Sequence, residues 1–173
     1  MNTINSIFKI IMFFFCFMFF CCSSSSLQEA PVGTALVFFH VTLEGITDAD
    51  IVVLDEKNSE IKTKVRNGDT VVPMFLIPGR TYSIQEVRFG SNKLLLKKPA
   101  TFKGAVPGVI NYAMTIDVVR SGFMQRFKVY SSEEHYEKAK SKFNNRYRDY
   151  SKSKSFNRLV TENTVEKSKL IDF

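Results

Sequence analysis

Apolar and polar residues alternate through most of this chain, and an alternation of period two is the mark of half-buried strands. Between Thr34 and Leu43, Val37, Phe39, Val41 and Leu43 fall on one face among β-branched and aromatic neighbours. They predict a first strand, with Ile51 to Leu54 as a short second one beyond the acidic loop Thr47-Asp48-Ala49-Asp50. Ile61, Thr63 and Val65 then alternate with Lys62, Lys64 and Arg66, which predicts a strand with one face buried and the other in water. Asn67-Gly68 follows as a hairpin signal, and Thr70 to Leu76 returns.

Pro78-Gly79 has the spelling of a tight turn and leads into a strand from Thr81 to Phe89. Gly90-Ser91-Asn92 breaks the run and Lys93 to Lys97 resumes it. Pro107-Gly108 launches Val109 to Val119, and after Ser121-Gly122 comes Phe123 to Tyr130. Short connections without helical periodicity predict a mainly β fold, an antiparallel β-sandwich of about 7–8 strands over residues 32–131. Val37, Phe39, Val41, Tyr82, Ile84, Tyr112, Met114 and Ile116 are its expected core.

At Ser131 the period changes. Ser131-Ser132-Glu133-Glu134 spells a capping box, and Tyr136, Ala139, Phe143, Tyr147 and Tyr150 recur every three or four residues. An amphipathic C-terminal helix over 132–150 is expected, its aromatic stripe docked on the strands. Residues 151–173, rich in Lys, Ser and Asn, are expected to form a basic tail, a short helix or a partly disordered segment.

The opposite end is apolar throughout. Thirteen residues from Ile10 to Cys22 run into Ser23-Ser24-Ser25-Ser26, with Lys9 and the amino terminus as the preceding positive charge. The run has the length of a secretory signal core and falls short of the ~20 residues needed to span a bilayer. Residues 1–21 are therefore read as a signal peptide and 22–31 as a lipidated Cys22 with a Ser-rich tether. A signal-peptidase cut at small residues, for example after Ser24, and an uncleaved anchor are the two other readings. All three cysteines (Cys16, Cys21, Cys22) lie in this region, so a mature chain starting at Cys22 has no internal disulfide.

The stretch ending in Cys22 resembles the tolerant lipoboxes of spirochaetes and some other bacterial lipoproteins. Pro78-Gly79-Arg80-Thr81-Tyr82 and Pro107-Gly108-Val109-Ile110-Asn111-Tyr112 are similar to strand starts in small immunoglobulin-like or transthyretin-like β-sandwich envelope lipoproteins of unknown function. The resemblance implies export, a sandwich and lipid anchoring in a bacterial cell envelope, at the outer membrane on its periplasmic or surface face. It carries no catalytic residue across.

Charge adds one feature. Between Lys138 and Arg158 eight basic residues stand against the single acid Asp149, a net of +7. Lys138, Lys142, Arg146 and Arg148 are candidate contacts to an anionic surface: anionic lipid, an acidic glycan or an envelope protein. Nucleic acid is not expected as a partner, because an exported chain seldom meets it. A solvated basic face is the plainer reading.

Catalytic chemistry is sparse. His40 sits in the first predicted strand and His135 in the first helical turn, and no G-x-S-x-G elbow is present. Asp48, Asp50, Asp55 and Glu56 offer oxygen ligands without the spacing of a calcium loop. No cofactor, metal or catalytic residue is expected. The reading is a lipid-anchored envelope protein acting as a non-catalytic binding or structural module. The alternatives are an outer-membrane lipoprotein of a secretion or export assembly, since that of type VI secretion systems is also a small transthyretin-like sandwich, and an enzyme.

Overall fold

In the computed structural model, which describes residues 26–164, the first strand is far longer than the alternation predicts: β1 (Ala35–Asp55) runs for 21 residues. Its opening run Ala-Leu-Val-Phe-Phe-His-Val is buried at every position. Val37, Phe39 and Val41 enter the main core with Ile51, Ile84 and Ile116, while Leu36 and Phe38 enter a second cluster with Tyr112, Ala139 and Phe143. A strand covered on both faces needs apolar side chains on both.

β1 bends midway. Its register with β2 (Glu60–Leu76) shifts between Leu43 and Asp48, and Gly45 lies in the shift with φ +68°. A Cβ on Gly45 would sit 1.9 Å from the backbone oxygen of Arg120, so only glycine permits this approach. The bend gives the two halves of β1 different neighbours. β2 pairs antiparallel along both halves; β5 (Ile110–Ser121) runs parallel to the first, and β3 (Tyr82–Phe89) antiparallel to the second.

β4 (Asn92–Lys103) extends the sheet beyond β3, and β6 (Met124–Tyr130) extends it beyond β5. Two short strands complete it, β7 (Phe156–Arg158) parallel to β5 and β8 (Val160–Glu162) antiparallel to β4. The main path is β6-β5-β1-β3-β4-β8, with β2 on β1 and β7 on β5. Among the described residues these eight strands form one mixed, strongly curled sheet, a half-barrel around the main core; dividing β1 at its bend makes nine segments.

The expected antiparallel two-sheet sandwich is thereby corrected. Two pairings are parallel, and the β1–β2 hairpin passes through the bend without breaking into separate sheets. The stretch 47–50, expected as a loop, lies inside β1, with Ala49 buried and Asp48 bound to Lys64 at 3.0 Å. Asn67-Gly68 is not the hairpin turn either, because β2 continues through it. The chain turns at 56–59 instead. There the Asp55 carboxylate accepts from the amides of Lys57 (2.9 Å) and Ser59 (2.8 Å), and Asn58 adopts φ +60°. A local carboxylate turn has outcompeted the Asn-Gly signal.

The eight expected core residues are all buried, but in two clusters. β5 carries an extra residue between its pairings Phe38↔Tyr112 and His40↔Thr115, so Tyr112 faces the second cluster while Met114 and Ile116 face the main core. The second cluster is closed by α1 (Glu133–Arg146), whose Ala139 and Phe143 are buried. Phe143 lies 4.7 Å from Phe38 between ring centroids and 5.8 Å from Phe156. The expected aromatic stripe therefore docks on the sheet. Its N-cap is Ser132, one residue later than the capping box predicts and without a side-chain cap bond; Ser131 Oγ instead meets Thr164 Oγ1 at 2.6 Å. The helix ends at Arg146, Tyr147 breaks it, and a short turn α2 (Arg148–Ser151) follows. Within the described residues, β7 and β8 replace the expected short helix or loose tail. The expected signal segment 1–21, the expected anchor Cys22 and residues 165–173 lie outside the described residues.

Two-sided burial makes a direct prediction. Phe38→Ala and Phe39→Ala are each expected to lower unfolding free energy by about 3–5 kcal/mol, although the residues are adjacent and face opposite ways. Urea denaturation measures both. A Phe38→Ala loss under about 1 kcal/mol, typical of a surface substitution, would contradict burial on the helix side.

Candidate functional site

The helix that covers β1 also carries the basic residues singled out from the sequence. Glu133 and Glu134 occupy its first turn, where carboxylates favour the positive helix end, and Ala139 and Phe143 point into the second cluster. With that stripe fixed, Lys138, Lys142 and Arg146 follow one another at four-residue intervals and face the middle of β2. Lys142 Nζ lies 2.7 Å from Asp69 and Lys138 Nζ 3.9 Å from it, and Arg146 hydrogen-bonds to Thr70 and to the Val71 carbonyl oxygen. Three of the four candidate contacts thus converge on one seam. Arg148 lies in α2, exposed and outside this row.

Beneath Asp69 the seam continues into the protein as a polar array. His40 is 1 % exposed, its Nε2 bonded to Asp69 and its Nδ1 3.2 Å from Thr115 Oγ1. Thr115 Oγ1 in turn lies 2.9 Å from the Tyr112 hydroxyl. One proton arrangement satisfies every atom: neutral His40 donates from Nε2 to the Asp69 carboxylate and accepts at Nδ1 from Thr115, which accepts from Tyr112.

The pKa shifts agree with that arrangement. Burial pushes His40 below its ordinary value, outweighing the hydrogen bond and charge of Asp69, with Lys138 and Lys142 acting in the same direction as burial. At Asp69 burial acts upward, yet the hydrogen bonds from Lys142 and His40 prevail and hold the carboxyl low. Burial pushes the Tyr112 phenol up to about 12.

A hydroxyl, an imidazole and a carboxylate in line have the composition of a hydrolytic triad, but the order is turned inside out. Asp69 lies toward solvent and Thr115 is buried against Tyr112. A triad nucleophile must reach a substrate carbonyl. Here two clefts open on the outer side, one of about 570 Å³ and one of about 350 Å³, sharing Thr70, Val71 and Arg146; neither is lined by Thr115 or Tyr112. The array ties β1, β2, β5 and α1 together, and its solvent end is cationic. Lys64 and Arg66 line the larger cleft, Lys142 and Asn145 the smaller.

The remaining sequence candidates are dispersed. Asp55 holds the 56–59 turn and meets Arg80 at 3.3 Å, Glu56 accepts from the Thr81 amide at 2.8 Å, and Asp48 pairs with Lys64. Among the described residues no three His, Cys, Asp or Glu side chains are grouped to hold a metal ion. His135 stacks on Tyr130 with ring centroids 4.6 Å apart and bonds Ser132 Oγ at 2.6 Å. Asp69 and Thr115 were missed by the sequence reading. Asp69 follows Asn67-Gly68 and reads as a turn residue, while His40 occupies the even phase of β1 that period-two logic assigns to water.

The chain matches no family model, no curated protein and no solved structure.

The depressed His40 pKa has a definite sign. Below about pH 6.5 the unfolded chain binds a proton that buried His40 resists, so stability falls as pH drops through and below that value. His135, also lowered by burial, acts the same way. Wild-type melting temperature is expected to fall between about pH 7.5 and pH 5, and His40→Gln to flatten that slope more than His135→Gln. Equal slopes in wild type and His40→Gln would contradict the protonation assignment.

Proposed function

We propose that this protein is an exported, lipid-anchored component of a bacterial cell envelope that acts as a non-catalytic binding module, engaging an anionic partner along the α1–β2 seam. The observation that carries the reading is the row Lys138, Lys142, Arg146 beside two open clefts, with Lys64 and Arg66 on the opposite wall. Asp69 offsets one of the three helix charges and Asp48 engages Lys64, so the seam keeps a positive surplus. Sub-debye distances are required, since screening limits such attraction to about 8 Å at physiological salt. The export and anchoring parts rest on the apolar run to Cys22 and on its resemblance to lipoprotein signals.

Anchoring is tested by Cys22→Ser. Each buried acyl CH₂ contributes about 0.8 kcal/mol, so a lipidated chain stays with membranes while the variant accumulates as precursor or moves to the soluble fraction. Unchanged processing and membrane association would rule out Cys22 as the anchor.

Seam binding is tested separately by co-sedimentation with vesicles, comparing phosphatidylglycerol-containing with pure phosphatidylcholine vesicles and using the chain without residues 1–22. Stronger binding to the anionic vesicles at low salt is expected, and Lys142→Gln with Arg146→Gln should remove most of the difference. Neutral glutamine is chosen because a carboxylate at position 142 would face Asp69. Equal, salt-independent binding to both vesicle types would leave the row as a solvated face.

A further inference from the structure

The curl of the sheet leaves a second opening, remote in character from the seam. β6 ends the strand order on one side, and on the other β4 carries β8 only at Thr101–Lys103. Between β4 and β6 lies a cleft of about 690 Å³, larger than either seam cleft. Leu94, Leu96 and Phe127 line it, and all three pack from beneath on the main core. Two strand edges thus face one another across an apolar floor without hydrogen-bonding to each other.

The two edges differ. β4 bears Pro99, and its pairing with β3 is interrupted between Leu95 and Ala100, which are devices that guard an edge against added strands. β6 has neither proline nor interruption, and its register with β5 is unbroken from Tyr130 to Met124. Its outer N–H and C=O groups form a regular unpaired row among the described residues. Around the cleft stand Lys97, Lys98, Arg126 and Lys128. Arg126 meets Asp117 at 3.1 Å, while the three lysines make no ion pair among the described residues. The same charges oppose pairing with a second copy of β6, which would set Arg126 and Lys128 against their own kind.

We propose that the free edge of β6 is a docking edge for an extended acidic strand of another protein, laid over the mouth of the β4–β6 cleft. Main-chain hydrogen bonds to β6 supply the alignment, alternate apolar side chains of the incoming strand cover Leu94, Leu96 and Phe127, and its carboxylates meet the lysines. This site is independent of the seam reading.

The test uses the full chain in neutral detergent and three capped nine-residue probes: alternating Glu and Val, alternating Lys and Val, and the Glu–Val peptide N-methylated at every second amide. Fluorescence anisotropy is expected to show the Glu–Val peptide binding at least tenfold more tightly than the other two, with slowed hydrogen exchange confined to Met124–Tyr130. Lys97→Glu, Lys98→Glu and Lys128→Glu together should reverse the preference between the acidic and basic probes. Lys142→Gln with Arg146→Gln should leave it intact. Should the triple variant fail to fold, the N-methyl comparison on wild type still decides. Equal binding of the N-methylated probe, or protection elsewhere than β6, would overturn the proposal. So would protection of β6 by concentration-dependent dimerisation, or acidic-probe binding seen only in a variant ending at Thr164, which would assign the edge to a second copy or to residues 165–173.

Discussion

The first half of β1 is buried on both faces, and the rest of the structure follows from covering it. Val37, Phe39 and Val41 need a core on one side, which the curled sheet supplies; Leu36 and Phe38 need a cover on the other, which α1 supplies through Phe143. Both edges of the strand are also taken, β2 on one and β5 on the other. The bend at Gly45 then releases the second half of β1 toward β3, and one long strand serves two halves of a single sheet.

Double burial explains the polar array. A histidine on the helix side of β1 has no water, and an unpaired buried polar group costs about 1–3 kcal/mol. Thr115 and Asp69 supply its two partners, one from each neighbouring strand, and Lys142 joins the helix to the second. A slip of one residue between β1 and β2 would carry Asp69 to the opposite face. The array therefore ties register, helix position and the placement of the cationic row into one arrangement. The row is held over β2 because its own helix charges bind the carboxylate that partners His40.

Much of this was legible in the sequence, and the misses have physical causes. The aromatic stripe of α1 and the odd phase of β1 were readable because each obeys a simple period. The continuous run Ala35 to Val41 was equally visible, but reading it by alternation hid the meaning of Leu36, Phe38 and His40: unbroken apolar runs belong to strands covered twice, often with parallel neighbours. Asn67-Gly68 misled because Asp55 builds a stronger local turn eight residues after Thr47 and before the signal is reached. The acidic stretch 47–50 looked like a loop because acids are uncommon in strands, yet Lys64 across the ladder pairs with Asp48. The convergence of Lys138, Lys142 and Asp69 depends on a tertiary contact between residues far apart in the chain, which periodicity does not carry.

The arrangement leaves two surfaces of different kinds on one small domain: a cationic seam stiffened by buried hydrogen bonds, and an open strand edge over an apolar floor. Both depend on β1 pairing in parallel with β5 while α1 covers its other face. Nuclear Overhauser contacts in the folded domain test that most directly. The account predicts backbone contacts between β1 and β5 in the parallel pattern around Val41 and Ile116, together with contacts from the Phe143 ring to Phe38 and Phe156. An antiparallel pattern between these strands, or a Phe143 ring without contacts to either aromatic residue, would contradict it.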